Sequence, residues 1–307
     1  MKVTVLVCTR NRSDSIESCI LSILNNTYRD FEFLIVDQST SKKTEEIVKK
    51  HISVDKRIKY LRMEGQGKSR ALNLGIRNSS GDIIATTDDD CVVSKDWIEN
   101  IIKAFEKNPD VDIVYGRIIN KPDEFSMKDR KYSGRFSKLF FVGDGANVSS
   151  KRSIFKKLKG YDELLGPGAP LGTLGDQDFA YRALYLGLKI LNAKQVTVTH
   201  VPLSYTNAQE VISRLRPQEI GAGALLFKSI RCFELPAVLI CLISHTQRLI
   251  DIARHIMLNK GRRQLNKPRI LLILQAWVLI TYWDLLGMIM SMKYPIDKTH
   301  GLFIPRE

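Results

Sequence analysis

Short apolar runs that stop abruptly at polar residues constrain this chain most. Lys2–Cys8 is a valine-rich run that gives way to Thr9-Arg10-Asn11-Arg12. Phe31–Val36 stops at Asp37, and Asp82–Thr87, through Ile83-Ile84-Ala85, stops at Asp88-Asp89-Asp90. Apolar runs this short, bounded by polar residues, read as strands buried on both faces. Stretches of helical period lie between them. Ser13 or Asp14 caps one carrying Ile16, Cys19, Ile20, Ile23 and Leu24. Lys42–His51 turns Ile47 and Val48 inward, and Lys68–Arg77 has Ala71, Leu72 and Ile76 on one side. Ile58–Leu61 and Val111–Tyr115 read as further strands, and Trp97–Phe105 as a helix. This order predicts an α/β fold with a mostly parallel central sheet flanked by helices. Such sheets bind ligands beyond the carboxyl ends of their strands. Thr9–Arg12, Asp37 and Asp88–Asp90 are therefore expected to line one cleft.

Three adjacent carboxylates repel one another and lose hydration, which is costly unless a cation sits among them. Oxygen ligands suit Mg²⁺ or Mn²⁺. The competing reading is a solvated acidic turn that caps a helix starting near Ser94. A formal net charge of +14 favours anionic partners: nucleotide phosphates, nucleic acid or an acidic membrane surface. With 307 residues, one large domain or a domain with an appendage is expected. The five cysteines contain no CxxC pair, which points to reduced thiols and a cytosolic setting, not a disulfide framework or zinc site. The apolar start Val3–Val7 is too short for a signal segment. No GxGxxG follows the first strand, against a nicotinamide dehydrogenase. No aromatic and basic stacking platform is visible, against nucleic acid. A nucleotidyltransferase with the same acidic metal site is the alternative enzyme, although Thr9–Arg12 lacks the glycines such a loop usually carries.

The motifs Val5–Arg12, Phe33–Ser39, Gly67–Ile76 and Asp88–Asp90, in that order, closely resemble the family 2 glycosyltransferases of GT-A fold. Gly145-Ala146-Asn147 with Lys151-Arg152, Gly160-Tyr161-Asp162-Glu163, and Gly175-Asp176-Gln177-Asp178 followed by Arg182 continue the match. The resemblance covers roughly residues 1–230. It implies a nucleotide-binding half over 1–120, an acceptor half over 121–230, and a helical extension over 231–307.

The resemblance also implies roles. Asp37 is expected to read the nucleotide base, and Arg10 and Arg12 to hold the diphosphate, with Thr9 and Asn11 in the same loop. Asp88 is expected near the ribose, with Asp89 beside it, and Asp90 as the metal ligand. Arg70 and Asn73 belong to a helix that leans over the nucleotide in this family, although packing or salt-bridge roles suit them equally. His200, after the strand Val196–Thr199, is a second candidate metal ligand; a lone strand-end histidine is also commonly structural. Asn147 looks like part of an acceptor-side loop, and Arg214 and Arg216 like a basic segment closing over the diphosphate. Aligned from Arg182, Asp176 takes the place of the catalytic base, where the usual Glu-Asp pair is Gly175-Asp176. Asp178 is its rival, and either acid also caps a helix N-terminus. The implied reaction is a metal-dependent, inverting transfer of a hexosyl unit from a nucleotide-diphosphate sugar to an acceptor hydroxyl.

The last 75 residues change character. His245–Leu258 reads as an amphipathic helix with Leu249, Ile252, Ala253, Ile256 and Met257 on its apolar face. Ile270–Met292 is apolar apart from a few polar residues and Asp284, long enough to span a bilayer. The intervening Lys260, Arg262, Arg263, Lys267 and Arg269 would then lie on the far side, against the positive-inside tendency. Helices lying on the cytoplasmic face of a membrane, with a saccharide or lipid-linked acceptor and a role in cell-envelope polysaccharide synthesis, are the expectation. A packed helical subdomain or dimer partner is the competing reading.

Overall fold

The structure is a computed structural model that describes residues 1–119, 129–134, 143–200, 208–232, 234–258 and 269–305. The chain divides into two compact units. The first comprises residues 1–163 and 179–204, and the second residues 164–178 and 205–307.

The first unit holds a nine-stranded sheet among the described residues. The strands β1 (Val3–Thr9), β2 (Phe31–Asp37), β3 (Ile58–Arg62) and β4 (Ile83–Asp88) are parallel, in the order β3-β2-β1-β4. The sheet continues through β8 (Asn147–Lys151), β6 (Ile113–Ile119), β9 (Ile190–His200) and the short β5 (Cys91–Val93). There β6 and β9 are parallel, β8 and β5 run antiparallel to their neighbours, and β7 (Arg130–Tyr132) pairs antiparallel with β9.

Side-chain alternation splits the core into two layers. Val3, Val5, Val7, Phe33 and Ile35 pack under α1 (Ser13–Leu24) and α4 (Trp97–Lys107), through Ile16, Ile20, Trp97 and Ile101. Leu6, Leu34, Val36 and Ile84 face α3 (Lys68–Asn78) through Ala71, Leu72 and Ile76. The helices α2 (Lys43–Val54) and α5 (Ile154–Leu158) complete the cover of this unit.

The amino ends of the parallel strands carry a buried acid, Glu32, 5% exposed. Thr4 Oγ1 donates to it at 2.5 Å, Lys59 Nζ at 2.7 Å, and the Ser80 N–H also donates. Burial alone would raise its pKa, but the bonds from Lys59, Thr4 and Ser80 outweigh burial and pull it down to about 2.

Helix α6 (Gly175–Tyr185) begins in the second unit and ends in the first. The second unit is otherwise built from α7 (Ala208–Arg231, with Pro217 inside it), α8 (Leu235–Leu258), α9 (Arg269–Met292) and the small pair β10 (Ile296–Asp297) and β11 (Leu302–Phe303). Leu164, Leu165 and Leu171 share a core with Ala224, Tyr294 and Phe303. Among the described residues one stretch, Ile273–Met292, is long and apolar enough to cross a membrane. The basic residues Lys260, Arg262, Arg263 and Lys267 lie outside the described residues.

Candidate active site

Parallel pairing brings the strand-end residues together. The register sets Thr9 against Asp37, Cys8 against Asp88, and Asp37 against Arg62. The turn after β1 is held by Asn11, which sits at φ 55, an uncommon conformation for a residue other than glycine. Its Oδ1 accepts from the Thr40 N–H at 2.8 Å and the Thr40 hydroxyl at 3.1 Å, and its N–H donates to Ser39 Oγ at 2.8 Å. Asn11 thus braces the first strand-end loop against the second. Arg10 is exposed at that loop.

Asp37 is fully buried. Its Oδ1 accepts from the Ser39 N–H at 2.7 Å, and its Oδ2 from the Tyr60 hydroxyl at 2.8 Å and Arg62 Nη1 at 3.0 Å. Arg62 also donates to the Ser39 carbonyl, and its side chain is 38% exposed. A ligand therefore meets Arg62 at the surface of this end of the site, with Asp37 behind it.

The acid triad is differentiated by its neighbours. Lys68 Nζ pairs with Asp88, and Arg12 Nη1 pairs with Asp90 and lies 3.5 Å from Asp89 Oδ1. Asp89 and Asp90 are buried. Burial pushes the Asp89 carboxyl up to about 6; Thr9 and Arg12 oppose the rise, and the charges of Asp88 and Asp90 add to it. Antiparallel pairing of β5 with β9 sets Cys91 against His200, which places His200 Nε2 3.5 Å from Asp90 Oδ1. One donor atom from each of Asp90, Cys91 and His200 lies within 4.8 Å of the others. Burial drives the Cys91 thiol up to about 12, and the oxygen-preferring cations suited to this corner favour its carboxylate and imidazole over sulfur. Cys8 is likewise pushed up to about 12 and Cys19 well above its ordinary value, so the site has no thiolate nucleophile. This donor set fits Mn²⁺, and its oxygens fit Mg²⁺.

In the second unit, Asp178 is 3% exposed and receives Lys228 Nζ at 2.5 Å, while Lys228 also donates to the Gly301 carbonyl at 2.8 Å. Asp176 is the partly exposed acid of the pair, accepting the Gln177 N–H at 2.9 Å. Arg214 and Arg216 are exposed on α7.

One sequence reading changes, and one of two open readings is selected. Asn147 opens strand β8 instead of lying in an acceptor loop. It is fully buried, accepts Trp97 Nε1 at 3.0 Å and donates to the carbonyls of Arg117 at 3.0 Å and Val196 at 2.9 Å. Asn73 is a packing residue: it donates to the Tyr161 carbonyl and Glu163 at 2.9 Å and accepts the Tyr161 N–H at 2.8 Å. Arg70 is exposed in the first turn of α3. Sequence reasoning missed Lys68, Tyr60 and Arg62. The strand-end rule that selected Asp37 applies equally to Arg62, and Lys68 directly follows the glycine that precedes α3.

A family model described as Glycosyl transferase family 2 matches residues 4–157. The chain is 27% identical over 221 residues to a glucosyl-dolichyl phosphate glucuronosyltransferase of Haloferax volcanii, covering 67% of this chain and 71% of that protein. It is 35% identical over 180 residues to an uncharacterized glycosyltransferase of Methanocaldococcus jannaschii, covering 53% of this chain and 60% of that protein. Among solved structures, a mannosyltransferase from Pyrobaculum calidifontis in complex with GDP-Man and Mn²⁺ matches with a TM-score of 0.62 at 18% identity, over 95% of this chain and 87% of that one. TarS 1-349 of S. aureus in complex with UDP-GlcNAc matches with a TM-score of 0.54 at 15% identity, over 95% and 89%. The shared architecture is the GT-A fold.

Proposed function

Because the chain belongs to glycosyltransferase family 2, we propose that it moves a hexosyl unit from a nucleotide-diphosphate sugar to an acceptor hydroxyl, with inversion and with the help of Mg²⁺ or Mn²⁺. The observation that carries this reading is the strand-end cluster itself. Buried Asp89 and Asp90 lie beside half-buried Asp88, the His200 imidazole lies 3.5 Å from Asp90, and Arg12 and Lys68 reach in from neighbouring elements. Asp90 and His200 would hold the cation, which when bound neutralises charge on the departing diphosphate. Arg12, Arg10 and Lys68 supply fixed positive charge for the phosphates. Arg70 lies in the same helix as Lys68 and is assigned to the nucleotide. Asp88 takes the ribose, with Asp89 supporting the triad.

Asp37 holds Arg62 and Tyr60 at the base end. A ring N–H reaches its carboxylate when Arg62 gives way. Thr9 and Asn11 set the shape of the loop that the donor lies on. Asp176 takes the proton of the attacking hydroxyl. Lys228 occupies buried Asp178, and Asp176 is the partly exposed acid of the pair. The nucleotidyltransferase alternative gives way to the family match.

The acceptor is assigned as a saccharide hydroxyl on a soluble or lipid carrier in cell-envelope synthesis, met at the cytoplasmic membrane face. The similarity to the Haloferax glucosyl-dolichyl phosphate glucuronosyltransferase supports the lipid carrier. The test is a screen of nucleotide sugars for hydrolysis with Mn²⁺, with Mg²⁺ and with EDTA. Hydrolysis of one donor class that EDTA removes is the expected result. Donor hydrolysis indifferent to EDTA would remove the metal from this reading.

A further inference from the structure

Helix α9 has two sharply different faces. Ile273, Ile280, Trp283, Asp284 and Ser291 are buried. Leu271, Leu274, Val278, Tyr282, Leu285, Ile289 and Met292 are between 41% and 71% exposed and recur at three- and four-residue steps along the whole helix. A stripe this long and unbroken is unusual on a protein surface facing water.

The rotation of the helix is fixed by polar contacts with its neighbour α8. Asp284 receives His245 Nδ1 at 2.5 Å and lies 3.8 Å from Arg248 Nη2, both on α8. Trp277 Nε1 donates to the Leu249 carbonyl at 3.0 Å. Against α7 the two backbones nearly touch: a Cβ on Gly223 would lie 1.8 Å from the Asp284 carbonyl oxygen, and one on Gly287 would lie 2.0 Å from that of Ile220.

The contact with α7 decides how such a stripe can meet lipid. Helix α7 carries exposed Arg214 and Arg216, buried Glu219, and Lys228, which pairs with Asp178 of α6. If α9 crossed a bilayer, α7 would be carried into hydrocarbon with those charges, at several kcal/mol for each near the centre. Lying in the plane exposes only the stripe to acyl chains. At 1.5 Å per residue, 24 residues give a stripe about 36 Å long. Arg269 opens the helix and exposed Lys293 follows it, in a chain of net charge +14. Basic residues at both ends suit anionic headgroups.

From this we infer that α9 is an in-plane membrane anchor, whose occupant is the surface of an anionic bilayer and whose inner face stays locked to α7 and α8. The inference deepens the membrane part of the proposed function and depends on that reading only for the chemistry it would serve.

The test uses the full chain and vesicles of phosphatidylcholine with phosphatidylglycerol. The wild type should float with them, Trp277 emission should be quenched most by bromines high on the acyl chain, and bound protein should exchange to labelled vesicles. Val278→Glu combined with Leu285→Glu should lower partitioning by more than about tenfold while leaving the melting temperature and donor hydrolysis unchanged. Wild type that stays in the soluble fraction overturns the inference, as does a double variant that floats equally well. Bound protein that never exchanges shows a spanning helix and overturns it too. A stable dimer in vesicle-free buffer that the same double variant dissociates assigns the stripe to a second copy instead. Loss of donor hydrolysis with flotation intact would sink the sugar-transfer reading and leave this one standing.

Discussion

The two ends of the parallel strands treat buried acids in opposite ways. At the amino ends, Glu32 is ringed by a hydroxyl, an amide and an ammonium group, and its pKa is pulled down to about 2. At the carboxyl ends, Asp89 is buried beside two further acids, and its pKa is pushed up to about 6. The same sheet therefore holds one acid whose charge stabilises the fold and another whose charge strains it. The second unit repeats the contrast two residues apart: Lys228 pairs with buried Asp178, while Asp176 stays partly exposed. Glu32 and Asp178 are each held by a lysine, and Asp89 is crowded by like charge. Sites tuned for chemistry are where such local cost is expected.

The largest effect should come from Asp176, the partly exposed acid of the second pair. Asp176→Asn should leave donor binding intact and lower transfer by ~10²–10⁴-fold, the range for a general base. Transfer assays beside calorimetry with the nucleotide check this. If Asp178→Asn loses only transfer, keeping its melting temperature, the contrast is reversed. Next comes Asp90→Asn, which should cost on the order of 10²–10³-fold in cation-dependent donor hydrolysis with no loss of thermal stability. A large drop in melting temperature would mean that this end of the sheet is structural as well.

Glu32→Gln should do the opposite, costing on the order of 2–3 kcal/mol of stability and leaving turnover unchanged. The sign follows from a folded pKa below the unfolded one. The Glu32 contribution is complete above about pH 4.5 and is lost as pH falls towards 2. Wild type and variant should therefore converge in stability under acid, as read by denaturant titration across that range. The smallest effect is expected for Arg62→Ala. Freeing Asp37 should change nucleotide affinity by about tenfold or less, near 1 kcal/mol, and alter the preference among bases. An unchanged preference would show that this pair does not meet the base.

Much of this contrast was legible in the residues. Val3–Thr9 and Phe31–Asp37 are apolar runs whose ends are marked by a sudden change in polarity, so both the strands and the site at their carboxyl ends could be read. Strand β8 was not legible, because Asn147-Val148-Ser149-Ser150 carries little apolar signal. Its serines are buried by sheet pairing on both sides, a tertiary effect. Asn147 was misplaced for the same reason. The unbroken course of α7 through Pro217 also escaped the local signals, since proline inside a helix normally reads as a stop. The partners of the acids come from elsewhere in the chain: the β2–β3 register sets Arg62 against Asp37, and Lys68 reaches Asp88 from the start of α3.

The pairing of β5 with β9 has a consequence in time. Asp90 and His200 are 110 residues apart in sequence (200 − 90) and meet through the Cys91–His200 register. Closing a loop of that length costs about 4 kcal/mol of chain entropy before any contact compensates. During synthesis the strands bearing Asp37 and Asp88 can pair while β9 is still unmade. The imidazole is thus the last donor to join the acidic corner, and a cation that requires His200 is retained only by a chain whose sheet has closed.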